Sequence, residues 1–130
     1  MKSIRILPLL SAAIISVFAA SCSGDPEVRA AKALVKRLAP AEASQFSFIR
    51  TEDTVQRFTL SAERGKVRIA APDANCMAVG LNYYLKNWCE VTVSWYAADE
   101  VRLPASLPLP QEPLTVSARV GERFFLNYCI

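Results

Sequence analysis

The 130-residue sequence contains no histidine, and this absence excludes the commonest catalytic and metal-binding chemistry. Without an imidazole there is no Ser-His or Cys-His pair, no histidine general base and no histidine metal ligand. The four glycines are scattered, so none belongs to a glycine-rich loop that cradles phosphate. The four cysteines show no C-x₂-C spacing, which argues against a zinc knuckle. The sequence therefore predicts no metal and no cofactor.

An excess of charge of one sign is also missing. Fifteen basic and twelve acidic residues give a net charge of +3, and loss of Lys2 and Arg5 with a leader would leave 13 basic against 12 acidic residues. Such a weak field predicts no nucleic-acid partner. Neighbouring carboxylates occur at 52–53 and 99–100, where adjacent side chains of an extended chain point to opposite faces. These residues alone are not expected to form an active site.

The first 21 residues have the character of an export signal. A basic start precedes an apolar run from Ile6 to Ala20, which is shorter than the roughly 20 residues of a membrane-spanning helix. Small residues precede Cys22, as in a loose bacterial lipobox, so Cys22 is predicted to become the acylated first residue of an envelope lipoprotein, periplasmic or at the surface. The alternative is ordinary signal-peptidase cleavage near Ala20, and both interpretations predict export.

The spacing of apolar residues predicts two helices. Residues 25–27 (Asp-Pro-Glu) are a helix-start signature, and Pro40 stops that helix. Its basic residues are expected to form a solvated face, and they are Arg29, Lys32, Lys36 and Arg37. The second helix is predicted over 76–88, with a turn and a cap candidate before it. Gly80 inside this helix predicts a close approach to a sheet.

Alternating apolar residues predict short strands, and these are 46–50, 55–62, 67–71, 91–95 and 114–120. The first three are expected to form a small antiparallel meander, in which 67–71 pairs back onto 55–62 because the Arg-Gly turn at 64–65 is too short for a crossover. The predicted fold class is α+β: a two-layer α/β sandwich in which two helices pack a small, mainly antiparallel sheet.

Prolines concentrate between Leu103 and Pro113. This stretch cannot be a helix or a central strand, so it is expected to run extended across the surface, as the edge of the domain and the linker out of it. The last residues, 123–130, form an apolar run that ends without a cap or a turn residue. We therefore expect the chain to be the front part of a larger protein.

Two segments resemble a known family. Residues 80–89 (Gly-Leu-Asn-Tyr-Tyr-Leu-Lys-Asn-Trp-Cys) and 91–95 (Val-Thr-Val-Ser-Trp) match a "G-L-x-x-Y-L-(x)₃-C" helix that leads into a "V-S-W" strand. Residues 123–129 form an aromatic-rich segment ending in "N-x-C". In this order, with a Pro-rich linker between them, the segments resemble the amino-terminal domain of the alpha-N-acetylglucosaminidases, glycoside hydrolase family 89. The similarity spans about residues 26–130.

The residue patterns and the resemblance together predict four parts of the chain. These are an export signal of lipoprotein type (1–21), an N-terminal α/β accessory domain (22–103), a Pro-rich linker and edge segment (104–122) and the first strand of a missing catalytic (β/α)₈ barrel (123–130). The resemblance implies that the whole enzyme releases terminal α-linked N-acetylglucosamine from glycans with retention of configuration. Two barrel glutamates, held about 5–5.5 Å apart, would act as acid/base and nucleophile. Because neither can be located in this chain, the chain alone is predicted to be inactive.

The resemblance also implies that Asn127 and Cys129 line the pocket for the terminal sugar. They stand two residues apart at the C-terminal end of the expected first barrel strand, where barrel sites are built. Asn127 would offer an amide to sugar hydroxyls and Cys129 a small wall of the pocket. The alternative is that Asn127 merely ends a strand and Cys129 belongs to the core.

Two other classes of function stay open. A lipid-anchored glycan-binding module would need exposed aromatic rings, and the candidates are Tyr83, Trp95 and Tyr96. Since these aromatics follow helical or strand period, a place in the core is the competing interpretation. A purely structural envelope lipoprotein is the third class, and only the family resemblance argues against it.

Overall fold

The computed structural model describes residues 24–93 and 101–121. The elements in chain order are α1 (Pro26–Leu38), a 3₁₀ turn (Ala43–Gln45), β1 (Phe46–Arg50), β2 (Arg57–Glu63), β3 (Lys66–Ala71), α2 (Ala74–Trp88) and β4 (Leu114–Ser117). The strands form one mixed sheet in the order β1-β3-β2-β4. The predicted α+β class is confirmed. Three predicted features lie outside the described residues. They are the expected export signal (1–21), residues 94–95 of the expected further strand and the expected barrel strand (123–130).

Helix α1 begins and ends where its sequence signals predict. The Asp25 carboxylate accepts hydrogen bonds from the backbone amides of Glu27 at 2.9 Å and Val28 at 3.4 Å, which satisfies two N–H groups left without partners in the first turn. The helix buries Ala31 and Val35 against the sheet. Its four basic residues are all exposed, as predicted for a solvated face.

The predicted antiparallel meander is wrong for its first strand. Strands β2 and β3 do form an antiparallel hairpin, and Arg64 and Gly65 make its turn with positive φ angles of 51° and 74°, as a two-residue hairpin turn requires. Strand β1, however, pairs with β3 in parallel, with Phe46 opposite Val67. Alternation of apolar residues fixes which face of a strand is buried but not which strand lies beside it. In the sheet, β3 lies between β1 and β2. The polar segment 51–56 that connects β1 to β2 is long enough to span the position of β3.

The Pro-rich segment carries no helix or strand from 101 to 113, as predicted, but it is fastened to the domain. Leu107 is buried in the core. The Gln45 side chain donates to the Ala105 carbonyl at 2.9 Å and accepts from the Leu107 amide at 3.2 Å. The segment then continues into β4, which is shorter than the predicted 114–120 and pairs antiparallel with β2. Where the domain ends and the linker begins stays a prediction.

Helix α2 lies very close to the sheet. It is capped by Asp73, whose carboxylate accepts from the Cys76 amide at 2.7 Å, and it buries Met77, Leu81, Tyr84 and Leu85. A Cβ atom on Gly80 would lie 2.9 Å from Cγ2 of Ile69 and 3.0 Å from Cγ of Phe58. The predicted close approach at this glycine is confirmed.

The helix layer does not cover the whole sheet. Helix α1 packs mainly on β1, and α2 packs mainly on β2 and β3, so β4 extends beyond the helices. Residues 91–93, expected to begin a strand, are irregular. Within residues 24–93 and 101–121, no helix combines the length and the apolar character needed to cross a bilayer.

Candidate functional site

Most of the residues predicted to carry function lie outside the described part of the chain. This holds for the lipidation candidate Cys22, for the sugar-pocket candidates Asn127 and Cys129, and for the aromatic candidates Trp95 and Tyr96. Their roles stay predictions. The described residues instead show how the family motif on α2 is used and which surfaces the domain leaves open.

Tyr83, the remaining candidate for a sugar-stacking aromatic, is held between other rings. Its ring centre lies 5.4 Å from that of Phe58 and 6.2 Å from that of Trp88, both tilted. The side chain is half-buried and packs against the core. A ring that already has aromatic neighbours on two sides offers little free face to a sugar, so the described geometry favours the core interpretation of Tyr83.

Tyr84 joins α2 to the Pro-rich segment. The side chain is fully buried, packs edge-on against Phe46 and stacks on Trp88, with centroid distances of 5.7 Å in both cases. Its hydroxyl donates to the Pro108 carbonyl at 2.7 Å. The tyrosine of the "G-L-x-x-Y-L" motif therefore fixes the irregular segment to the core, just as the glycine of the motif sets the distance between helix and sheet.

The polar groups beside this tyrosine are kept neutral. Burial, and to a lesser extent the adjacent Cys89 thiol, raise the pKa of Tyr84 well above its usual range. Burial also raises the pKa of the Cys89 thiol, although its hydrogen bond with Tyr84 acts in the opposite direction. A thiol with a raised pKa is a poor nucleophile near neutral pH. Cys89 and Cys76 stand at opposite ends of α2, too far apart for a mutual disulfide.

A polar cleft of about 520 Å³ lies where both helices begin. The Arg50 guanidinium donates to the Asp25 carboxylate at 3.3 Å and to the Pro72 carbonyl at 3.2 Å. Glu27, in the first turn of α1, reaches across and accepts from the Ala74 amide of α2 at 2.7 Å. Each helix N-terminus thus receives a carboxylate of the domain itself, which complements the positive end of the helix dipole.

Two aspartates of this cleft are held ionised by their neighbours. Partial desolvation acts to raise the pKa of Asp25, but hydrogen bonds from Arg50 and from two backbone amides outweigh it and hold the pKa below its usual value. The pKa of Asp53 is also lowered, chiefly by the Val55 amide, which donates at 3.1 Å. Desolvation acts to raise it, and the Arg57 ion pair adds to the lowering. Lowered pKa values suit structural ion pairs and not a general acid.

The described residues hold no cluster of three or more acidic or cysteine side chains that could bind a metal ion. Asp25 and Asp53 of the cleft pair with arginines, and Glu27 accepts from the first amide of α2, so these three carboxylates are not arranged as an acid/base pair. The role that this geometry supports for the cleft is to stabilise the fold.

Two apolar grooves remain on the helix side of the domain. The α1–α2 groove, about 230 Å³, runs between the helices and is lined by Leu34, Leu38, Ala78, Leu81, Asn82, Leu85 and Val93. The β4–α2 groove, about 130 Å³, lies over the strand that the helices leave uncovered. It is lined by Gln56, Arg57, Phe58, Cys76, Val79, Val116, Ser117 and Ala118.

Comparison with solved structures places this fold in a class, that of a domain of family 89 glycoside hydrolases. The structure of a family 89 glycoside hydrolase from Clostridium perfringens in complex with PUGNAc matches with a TM-score of 0.71 and 27% identity, covering 78% of this chain and 12% of that chain. A variant of the Clostridium perfringens enzyme with two glutamates replaced by glutamine, in complex with its substrate GlcNAc-alpha-1,4-galactose, gives 0.69 and 26%, covering 75% and 11%.

Sequence comparison identifies the particular family. The model of the alpha-N-acetylglucosaminidase (NAGLU) N-terminal domain matches residues 29–109. The human alpha-N-acetylglucosaminidase is 31% identical over 126 aligned residues, which cover 85% of this chain and 16% of the human protein. The chain therefore belongs to the alpha-N-acetylglucosaminidase N-terminal domain family. It spans about a sixth of the length of this curated relative.

Three features of the described surface escape sequence reasoning. The contacts of Glu27 with α2 and of Gln45 with the Pro-rich segment join residues 47 and 62 positions apart, and no local pattern encodes such pairs. The third feature, the β4–α2 groove, has a partial signal in the sequence. Val79 interrupts an otherwise polar outer side of α2 and is 43% exposed, which is unusual for a helix that already has a complete apolar face.

Proposed function

We propose that this chain is the N-terminal, non-catalytic accessory domain of an exo-acting alpha-N-acetylglucosaminidase, which releases terminal α-linked N-acetylglucosamine from glycans. The observation that carries the proposal is the family match over residues 29–109, in which the motif residues of α2 occupy buried positions that the fold requires. One solved relative, from Clostridium perfringens, is in complex with its substrate GlcNAc-alpha-1,4-galactose, which supports an α-linked N-acetylglucosamine as the substrate class.

The role proposed for the domain is mechanical. Asp25, Glu27 and Asp53 are engaged by helix ends or arginines, which supports a domain that contributes packing and orientation and leaves the chemistry to a catalytic barrel. The segment after β4, 123–130, is proposed to be the first strand of that barrel. Asn127 and Cys129 on it are proposed to line the pocket for the terminal sugar, with the amide donating to and accepting from sugar hydroxyls.

The proposal also covers where the protein acts. The basic start, the apolar run and the small residues before Cys22 support export and acylation in a bacterial cell envelope. Incorporation of labelled palmitate by the Cys22→Ser variant tests this directly. We expect the label to be lost in this variant and kept in the matched Cys76→Ser variant. Equal labelling of Cys22→Ser and the parent chain would contradict acylation at this residue.

The accessory role is tested by assaying the purified 130-residue chain with an α-aryl N-acetylglucosaminide. We expect no release of the aryl group, because the two carboxyl groups that a retaining enzyme needs are expected to lie in the catalytic barrel. Turnover by this chain alone would overturn the proposal.

Titration of the same chain with N-acetylglucosamine separates the accessory domain from a glycan-binding module. The proposed role predicts no heat of binding at millimolar sugar, since Tyr83 is engaged by neighbouring rings. Saturable binding with a millimolar or lower Kd would favour the module.

A further inference from the structure

The β4–α2 groove lies over the part of the sheet that neither α1 nor α2 covers. Strand β4 forms the last strand of the sheet and lies beyond both helices. Val116 of β4 faces the helix side, and it meets Phe58 and Val79 in the wall of the β4–α2 groove. We propose that this groove receives an apolar segment of the catalytic part of the enzyme, and so is the surface through which the domain docks. This inference rests on the proposed function.

The apolar residues around the groove support this assignment. Val79 in its wall is 43% exposed. An adjoining hollow shares Gln56 with the groove and contains Val55 and Val120, which are 49% and 55% exposed. Isolated exposed valines are ordinary, but one in the groove and two in the hollow that adjoins it concentrate exposed apolar side chains on one part of the surface, as interaction surfaces do.

The path of the chain identifies the occupant. β4 ends at Ser117, and Ala118 then lines both the groove and the adjoining hollow, while Val120 and Gly121 line the hollow. The sequence continues with residues 122–130. The relatives are much longer than this chain, which covers 11% to 16% of their lengths. A catalytic part that follows would be tethered beside the groove, and tethering gives it a high effective concentration there.

The sheet edge at the same place adds a second reason. The Ala118 amide donates to the Gln56 carbonyl at 2.9 Å, so by alternation the main-chain groups of Thr115 and Ser117 point away from β2. Within residues 24–93 and 101–121 no strand pairs with that outer edge. An uncovered edge next to an apolar groove is a surface that proteins normally cover.

The α1–α2 groove is a weaker candidate. Its walls Leu81 and Leu85 are only 1% and 2% exposed, but Val93 is 37% exposed, so apolar area alone does not distinguish the two grooves. The outer side of α1 presents four basic residues, and burying them without acidic partners would cost free energy.

The experiment compares Val79→Asp with Val93→Asp, a matched exposed valine in the other groove. Each is made in the 130-residue chain and in the product of the complete reading frame. In the short chain, both variants should keep the parent's unfolding temperature. In the complete product, Val79→Asp should speed proteolytic separation of the domain roughly tenfold, because a buried charge raises the undocked population, whereas Val93→Asp should cleave at the parent's rate.

Equal cleavage of the two variants, or faster cleavage of Val93→Asp alone, would overturn the docking assignment. Hydrolysis of an α-aryl N-acetylglucosaminide by the parent protein in the same preparation reports separately on the proposed function. An active parent with unchanged cleavage of Val79→Asp rejects the groove and keeps the function. A reading frame without a catalytic part rejects both.

Discussion

Gly80 decides how closely α2 can approach the sheet. The contacts that a Cβ atom would make, 2.9 Å to Ile69 and 3.0 Å to Phe58, are shorter than packed side chains allow. Both neighbours are buried, so neither can move away freely. The glycine of the family motif is therefore explained by packing, although glycine is a poor helix former.

The Gly80→Ala variant should be less stable than the parent by about 1 kcal/mol. Overpacking costs about 1–3 kcal/mol, while the better helix propensity of alanine returns about 1 kcal/mol. Urea unfolding measures the difference. Gly121→Ala, where a new Cβ meets nothing within 4 Å, is the control and should match the parent. A Gly80→Ala chain more stable than the parent would contradict the close approach.

Tyr84 and Tyr83 are adjacent in sequence, but only the Tyr84 hydroxyl is assigned a structural role. Removing each hydroxyl in turn tests this assignment. Tyr84→Phe should lower the free energy of unfolding by about 1 kcal/mol, the net value of one hydrogen bond, because it loses the bond to the Pro108 carbonyl. Tyr83→Phe should leave stability unchanged, since its hydroxyl makes no hydrogen bond within the described residues. Equal losses in the two variants, measured by urea unfolding, would refute the assigned role of Tyr84.

At the scale of the elements, the two helix beginnings form one electrostatic unit with β1. Asp25 caps α1 and pairs with Arg50 at the end of β1, and Glu27 accepts from the Ala74 amide at the start of α2. These links cross between elements, so the helices are held in place by their ends as well as by their apolar faces.

This unit and the neighbouring Asp53–Arg57 pair should make stability fall in acid. The pKa values of Asp25 and Asp53 are lowered in the folded chain, so their contribution is complete above the unfolded value of about 3.9 and is lost as the pH falls through the lower folded values. The urea midpoint should therefore drop between about pH 4 and pH 2. Asp25→Asn keeps a capping oxygen and removes the titration, so its midpoint should drop less. The exposed Glu112→Gln serves as the control, and a drop in Asp25→Asn as large as the parent's would contradict this cause.

The Pro-rich segment should behave as part of the folded domain, with Leu107 as its anchor in the core. Leu107 is 5% exposed and Leu109 is 42% exposed. Leu107→Ala should cost about 2–5 kcal/mol because it opens a cavity in the core, whereas Leu109→Ala should cost less than about 0.5 kcal/mol. Thermal or urea unfolding distinguishes the two. Similar small effects in both variants would show that the segment is only loosely attached.

Sequence reasoning reached the elements better than their arrangement. Local signals predict three features correctly. The cap predicts helix α1, the two-residue turn predicts the β2–β3 hairpin, and a glycine inside a helix predicts the close approach at Gly80. The pairing of β1 with β3 does not follow from a local signal, because Phe46 and Phe48 would alternate in the same way beside β2 or beside β3. The anchoring of Leu107 by Gln45 was equally out of reach, since it joins segments far apart in sequence.

At the scale of the whole molecule, the described domain has a complete core on β1 to β3 and an open place over β4. The family match and the buried motif account for the core, and the docking inference accounts for the open surface over β4. The residues proposed to touch the sugar, Asn127 and Cys129, were accessible to sequence reasoning only through the family resemblance, because no local pattern distinguishes them from an ordinary strand end.

The most direct test of the account is the hydrolytic activity of the native polypeptide captured from its own cells with an antibody against this domain. The account predicts a species several times heavier than 14.3 kDa that releases N-acetylglucosamine from an α-linked substrate with retained configuration. A captured species of about the mass of the 130-residue chain, with no such activity, would contradict it.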